Sequence, residues 1–191
     1  MLIERIVGAI SFRTEVYAEV ERDTSFTNTA WMLVAVVAFL NQLGIRAYDT
    51  MGNRLFGSVV GTIVTLVAFA FGVWIVSWVG RSLFNADVTF NELVRTLGLA
   101  YIWNAVGVLG IVASFSTALS CVLAPVQIIA VLLGLIAWFI AAKEALDLDS
   151  VQTFVTMIIG WVVMTVISIF LGGAIIGALG LGAAVARGIF G

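Results

Sequence analysis

The chain has 191 residues, 62% of them hydrophobic and only 10% charged, with a mean hydropathy of +1.18. A soluble domain is about a quarter charged, so most of this surface must be covered by lipid, and a freely soluble globule is excluded. Nine basic and eleven acidic residues leave a net charge of −2 with no long basic run, which removes the electrostatic footing for nucleic-acid binding.

Residues 1–23 come first. Ile3, Ile6, Val7 and Ile10 fall at helical spacing, and Phe12, Val16 and Val20 mark a second short stretch. Ser11 is the expected cap of the second piece. These predicted amphipathic helices lie in the interface plane or pack on the cytoplasmic ends of the spans; either way the segment hugs the membrane. Charges of both signs interrupt it, and its longest uncharged stretch, Ile6 to Phe12, is short for a signal-peptide core.

Residues 24–191 read as one transmembrane domain. A hydrocarbon core about 30 Å thick takes about 20 apolar residues per helix. The charge-free stretches place five spans near 27–45, 57–80, 94–113, 123–142 and 151–176. The fold class is therefore an all-α integral membrane protein with five transmembrane helices and amphipathic interfacial N-terminal helices. Hydroxyls clustered at 114–121 predict the turn between the third and fourth spans, with Pro125 in the first turn of the helix that follows. The alternative has four spans, with residues 106–124 re-entrant.

Arg and Lys near span ends set orientation. Arg5, Arg13, Arg22, Arg81, Arg95 and Lys143 fall on one side; Arg46, Arg54 and Arg187 fall on the other. The bias predicts a cytoplasmic N-terminus in a multi-pass protein, in the inner membrane if the source is bacterial. All the acidic residues except Asp49 share that cytoplasmic side and leave it net negative. Such a face suits a basic protein partner better than anionic lipid heads, and Glu92, Glu144, Asp147 and Asp149 are its candidate residues. A merely solvated face is the other reading.

The start of the third span carries a legible signal. Phe90, Leu93, Val94 and Leu97 form one helical stripe, with Asn91, Glu92 and Arg95 on the opposite side. Thr89 and Glu92 match a capping box. Before the fifth span, Val151, Phe154, Val155 and Ile158 repeat the stripe, and Asp149 or Ser150 can cap it.

Asn41, Gln42, Asn104 and Gln127 are polar within or near spans. Hydrogen bonds between this protein's own helices are their expected role. No span holds an Asp, Glu, Lys or Arg centrally, which argues against ion coupling. At the C-terminal end Gly173 and Gly177 form a GxxxG step beside Ala174 and Ala178; this small-residue face would pack on the chain's own spans or on a partner. The six tryptophans are expected mostly toward span ends, as an aromatic belt. Histidine is absent and Cys121 is the only cysteine, so no cofactor or metal site is expected. Cys121 reads as a small apolar packing residue.

Taken in order, "RIVGAISFRTEVYAEVERD", "VTFNELVRTLGLAY" and "AWFIAAKEALDLDSVQTFVTMIIG" make the chain resemble the Yip domain family, the Ypt/Rab-interacting membrane proteins, in its short bacterial-type form. The resemblance covers nearly the whole chain. It implies five membrane helices with a cytoplasmic N-terminus. Larger members bind small GTPases through a longer cytosolic region, which the short segment 1–23 does not offer. The family often has a proline after the serine at the N-terminal break, where this chain has Phe12, and another soon after the third-span tyrosine, where it reads Ile102, Trp103, Asn104.

With no catalytic constellation in view, the expected function is non-enzymatic: an integral membrane adaptor or accessory subunit whose partners are the lipid bilayer and other membrane subunits, or a second copy of itself. The alternative is a small transporter or channel component with a polar path lined by Asn104, Gln127 or Thr62. A membrane enzyme ranks third, around Lys143, Glu144, Asp147 and Asp149.

Overall fold

The computed structural model describes residues 2–163, 165–167, 169–170 and 174. The elements are α1 (Leu2–Ile10), α2 (Thr14–Arg22), α3 (Phe26–Ile45), α4 (Met51–Phe84), α5 (Phe90–Ala100), a 3-10 segment (Tyr101–Val108), α6 (Leu109–Ala113) and α7 (Thr117–Leu146). A last helix, α8, runs over Ser150–Ile167. No strand occurs among the described residues. Five helical stretches are long and apolar enough to cross a membrane: α3, α4, Phe90–Ala113, α7 and α8. The third is continuous, so residues 106–124 are not re-entrant.

Three boundaries differ from the sequence reading. Helix α4 extends well beyond 57–80 at both ends, because Arg54 turns back to the carbonyls of Ala47 and Asp49, and Asn85 closes the other end in a left-handed conformation (φ 54°). Helix α7 begins at Thr117, capped by the Ser116 Oγ that accepts from the Leu119 N–H at 3.2 Å. Most of the predicted turn at 114–121 is therefore helical, and Pro125 lies inside the helix rather than in its first turn. Third, α2 has Arg13 at its N-cap with no side-chain cap, so Ser11 does not cap it. The chain instead leaves α1 through Phe12 at φ 57°, with the Phe12 N–H on Ala9 O (3.2 Å) and the Arg13 N–H on Gly8 O (3.0 Å). That is the left-handed helix stop in which two late carbonyls are satisfied at once. Proline, locked near φ −65°, could not take this position.

The helices α1 and α2 form a hairpin. Gly8 lies so close to Val16 that an added Cβ would meet Val16 Cγ2 at 2.4 Å. Arg5 bridges Glu19 (2.6 Å) and Asp23 (2.8 Å), and its guanidinium sits 5.0 Å from the ring centre of Phe26. The hairpin is packed on α5 and α7, with Ala9, Tyr17 and Val20 fully buried. Leu2, Ile3, Val7 and Ile10 point away from the protein.

The core is held by two kinds of contact. The first is aromatic. Phe69 of α4 is fully buried and meets Trp31 of α3, Tyr101 of the 3-10 segment and Trp138 of α7 edge-on, with centroids at 5.6, 5.8 and 6.2 Å. One ring thereby joins four spans, at about 0.5–1.5 kcal/mol per pair beyond area burial. Trp103 stacks on Phe12 at 5.6 Å. Trp31, Trp103 and Trp138 are therefore packing residues; Trp74, Trp78 and Trp161 remain exposed. The second contact is backbone on backbone. An added Cβ at Gly44 would lie 1.8 Å from Gly107 O, and one at Gly110 would lie 2.4 Å from Gly44 O. The narrower 3-10 segment crosses α3 here, and glycine lets the two chains touch.

Candidate functional site

Two regions gather the polar residues that the sequence singles out. The first is at the end of the bundle that carries the α1–α2 hairpin. Glu21 ends α2, Glu92 starts α5, Glu144 lies in the last turn of α7, and Asp147 closes α7 in a left-handed conformation (φ 49°). Burial first, then the charges of Asp147, Glu92 and Glu144, raise the Glu21 carboxyl above its ordinary 4.5, while Arg22 opposes the shift. Chain folding has thus brought carboxylates from three helices into mutual electrostatic range. None of the four takes part in an ion pair among the described residues. Lys143 donates to Ser150 Oγ at 3.0 Å rather than to a carboxylate.

Two of the predicted face residues have structural work. Glu92 accepts from the Thr89 N–H at 2.6 Å while Thr89 Oγ1 accepts from the Glu92 N–H at 3.3 Å, so the capping box is formed. Asp149 caps α8 by accepting from the N–H groups of Val151 (2.8 Å) and Gln152 (2.9 Å).

Arg95 corrects the expectation of a polar outward side for α5. It is only 4% exposed. Its Nε donates to Glu21 O at 2.9 Å, its Nη2 donates to the same carbonyl, and its Nη1 donates to Thr27 Oγ1 at 3.2 Å. The last carbonyls of a helix have no partner within it and carry the negative end of its dipole. Arg95 supplies both the donors and the charge at the end of α2. Sequence spacing placed it beside Glu92, but the hairpin packs over that side.

The second region is a cavity of about 620 Å³ between α3, the 3-10 segment, α6 and α7, with Trp161 of α8 also on its wall. It runs from Tyr48, Ala113 and Ser120, at the end away from the hairpin, to Tyr101 and Trp138 deeper in the bundle. Asn41, Asn104 and Gln127 all line it. Asn41 Nδ2 donates to Asn104 O at 3.0 Å, and Asn104 Nδ2 donates to Tyr101 O at 3.2 Å. The expected interhelical bond thus exists, but it leaves both side-chain oxygens as acceptors without a donor among the described residues. Gln127 is half-buried and makes no hydrogen bond among them. At the mouth Tyr48 Oη and Ser120 Oγ share a hydrogen bond of 3.2 Å. In the wall, the buried Trp103 Nε1–H has no acceptor among the described residues.

The other polar residues lie elsewhere. Gln42 faces α4, its Nε2 donating to Thr65 Oγ1 at 3.5 Å. Thr62 donates to Ser58 O of its own helix at 2.7 Å and is not on the cavity wall, so the polar path does not include it. Cys121 is exposed on α7 and does not pack in the core. Gly173, Gly177 and Ala178 lie outside the described residues; Ala174 is exposed. The sequence did not single out Tyr48, Ser120, Glu21 or the glycines Gly44, Gly107 and Gly110. A hydroxyl beside each outer turn and three glycines at interior positions of apolar segments were the available signals.

The molecule is a multi-pass helical membrane protein. No family model matches the chain, and neither a curated protein nor a solved structure matches it.

Proposed function

We propose that this protein is a non-enzymatic membrane adaptor or accessory subunit that presents an acidic cytoplasmic face to a basic segment of a protein partner. The reading follows the resemblance to the Yip domain family in kind, without its GTPase binding. One observation carries it: Glu21, Glu92, Glu144 and Asp147 come from three helices, α2, α5 and α7, that pack on one another, and they take part in no ion pair among the described residues. Repulsion between like charges costs stability, so a fold that gathers them gains when a cation arrives. The hairpin α1–α2 contributes Glu21 and lies at the membrane interface, and the N-terminus is cytoplasmic in the inner membrane if the source is bacterial.

Mild-detergent purification with cross-linking mass spectrometry tests this reading. A partner should be recovered through Glu21, Glu144 or Asp147. It should be lost in a Glu21→Gln, Glu144→Gln, Asp147→Asn triple variant and weakened by raised salt. A strictly monomeric protein without partners under several conditions contradicts the proposal.

A second reading, a small transporter or channel component, draws on the cavity. No Asp, Glu, Lys or Arg lines it among the described residues, which suits a route for an uncharged solute. Flux in reconstituted vesicles that disappears in Asn104→Leu would favour it.

A further inference from the structure

The cavity has features that the adaptor reading does not use. Its walls are mostly apolar and aromatic, its volume is about 620 Å³, and its side-chain polar groups among the described residues are uncharged: amides, hydroxyls and indole N–H groups. Pockets of about 300–1,000 Å³ with a few convergent polar groups are the usual size and make-up of small-molecule sites. Asn41 and Asn104 each give one N–H to a backbone carbonyl, and their Oδ1 atoms remain as acceptors without a donor among the described residues. Gln127 adds an amide with no partner among the described residues. Amides from α3, the 3-10 segment and α7 thus face one cavity with acceptor oxygens unmet among the described residues, beside the unpaired Trp103 indole N–H.

Depth narrows the choice of that donor. Gln127 lies seven residues along α7 from Ser120 at the mouth, about 10 Å at the helical rise. The amides are thus set back from the mouth, among apolar and aromatic side chains. A charged lipid head could reach them only by leaving water, at a cost of several kcal/mol with no opposite charge to meet it. A single uncharged hydroxyl on an apolar chain could reach them cheaply, with its chain along the aromatic wall of Tyr101, Trp103 and Trp138.

We propose that this cavity is a binding site for an uncharged lipid alcohol. Its hydroxyl donates to the amide oxygen of Asn104 or Asn41 and accepts from the Gln127 amide, while its apolar chain lies against the aromatic wall. The site is separate from the acidic face and stands whether or not an adaptor partner is found. The 3-10 stretch that carries Trp103 and Asn104 is long for that geometry, and such stretches recur at functional positions in helices.

The test uses the full chain in lipid nanodiscs and a farnesol analogue bearing a photoreactive diazirine. Cross-linked residues are mapped by mass spectrometry, with competition by farnesol and by farnesyl methyl ether, which keeps the chain but lacks the hydroxyl donor. Labelling should be saturable, should fall on the 3-10 segment, α6 and α7, and should be displaced at least about ten-fold better by the alcohol than by the ether. Gln127→Leu removes an amide the fold does not use and should weaken alcohol and ether alike by about ten-fold, since either oxygen can accept the Gln127 N–H, while the alcohol keeps its advantage over the ether. Ala124→Phe, which fills the cavity from an exposed position, should abolish labelling. Equal competition by alcohol and ether overturns the proposal. So does wild-type labelling in both variants, label outside the cavity, or no saturable label at all.

Discussion

The crossing of α3 with the 3-10 segment is the tightest place in the bundle, and Gly44→Ala probes it. The new Cβ would sit 1.8 Å from Gly107 O, 2.7 Å from Gly107 C and 3.1 Å from Val108 Cα. All three are backbone atoms, so no side chain can rotate away. Reaching ordinary contact at 3.4 Å requires the two segments to part by roughly 1.6 Å. The Asn41 Nδ2 to Asn104 O bond, now 3.0 Å, would stretch beyond hydrogen-bonding range. Overpacking of this kind costs about 1–3 kcal/mol, and the lost bond adds about 1 kcal/mol, for a total of about 3 kcal/mol. Gly52→Ala is the matched control, since nothing lies within 4 Å of its added Cβ. Thermal unfolding in mild detergent, followed by tryptophan fluorescence, compares the two. Gly44→Ala should lower the midpoint clearly and Gly52→Ala should leave it nearly unchanged. Equal stability of the two variants would refute the backbone-contact argument.

Arg95→Met should cost about 3 kcal/mol in the same unfolding assay, because the Glu21 carbonyl loses its donors inside the protein; Arg95→Lys should recover only part of the loss, since an ammonium cannot reproduce the forked contact. An Arg95→Met protein as stable as the parent would contradict the capping role. Glu21→Gln should stabilise the protein at neutral pH. The folded-state carboxyl is raised above 4.5 by burial and by Asp147, Glu92 and Glu144, so Glu21 is protonated more readily folded than unfolded. Its cost is therefore present near neutrality and disappears as pH falls through the raised value. The variant's advantage should vanish below 4.5; a pH-independent advantage would show that charge is not the cause.

The span count was legible because charge is excluded from lipid so strongly that the uncharged intervals alone located five helices. The caps at Thr89, Glu92 and Asp149 were legible for a similar reason, since they depend on residues a few positions apart. Arg95 was not. Whether a polar side faces water or a neighbouring helix depends on where residues 1–23 dock, and periodicity says nothing of that. Ser11 and Pro125 misled in a related way: each suits a helix start, but a left-handed Phe12 and the Ser116 cap moved the starts elsewhere. Of the four intramembrane amides, the structure brings together Asn41, Asn104 and Gln127 and separates Gln42 from its chain neighbour Asn41. Neighbouring residues on a helix point about 100° apart, so adjacency in sequence predicted the opposite of adjacency in space.

The central claim is that lipid surrounds five spans, with the α1–α2 hairpin and the acidic face on one side. Single cysteines at Glu92, Lys143, Tyr48 and Ser116, in a Cys121→Ala background, test it with a membrane-impermeant maleimide on sealed vesicles. Glu92→Cys and Lys143→Cys should react from one side only, and Tyr48→Cys and Ser116→Cys from the other. Reaction of the first two from opposite sides, or of all four from the same side, would contradict the account.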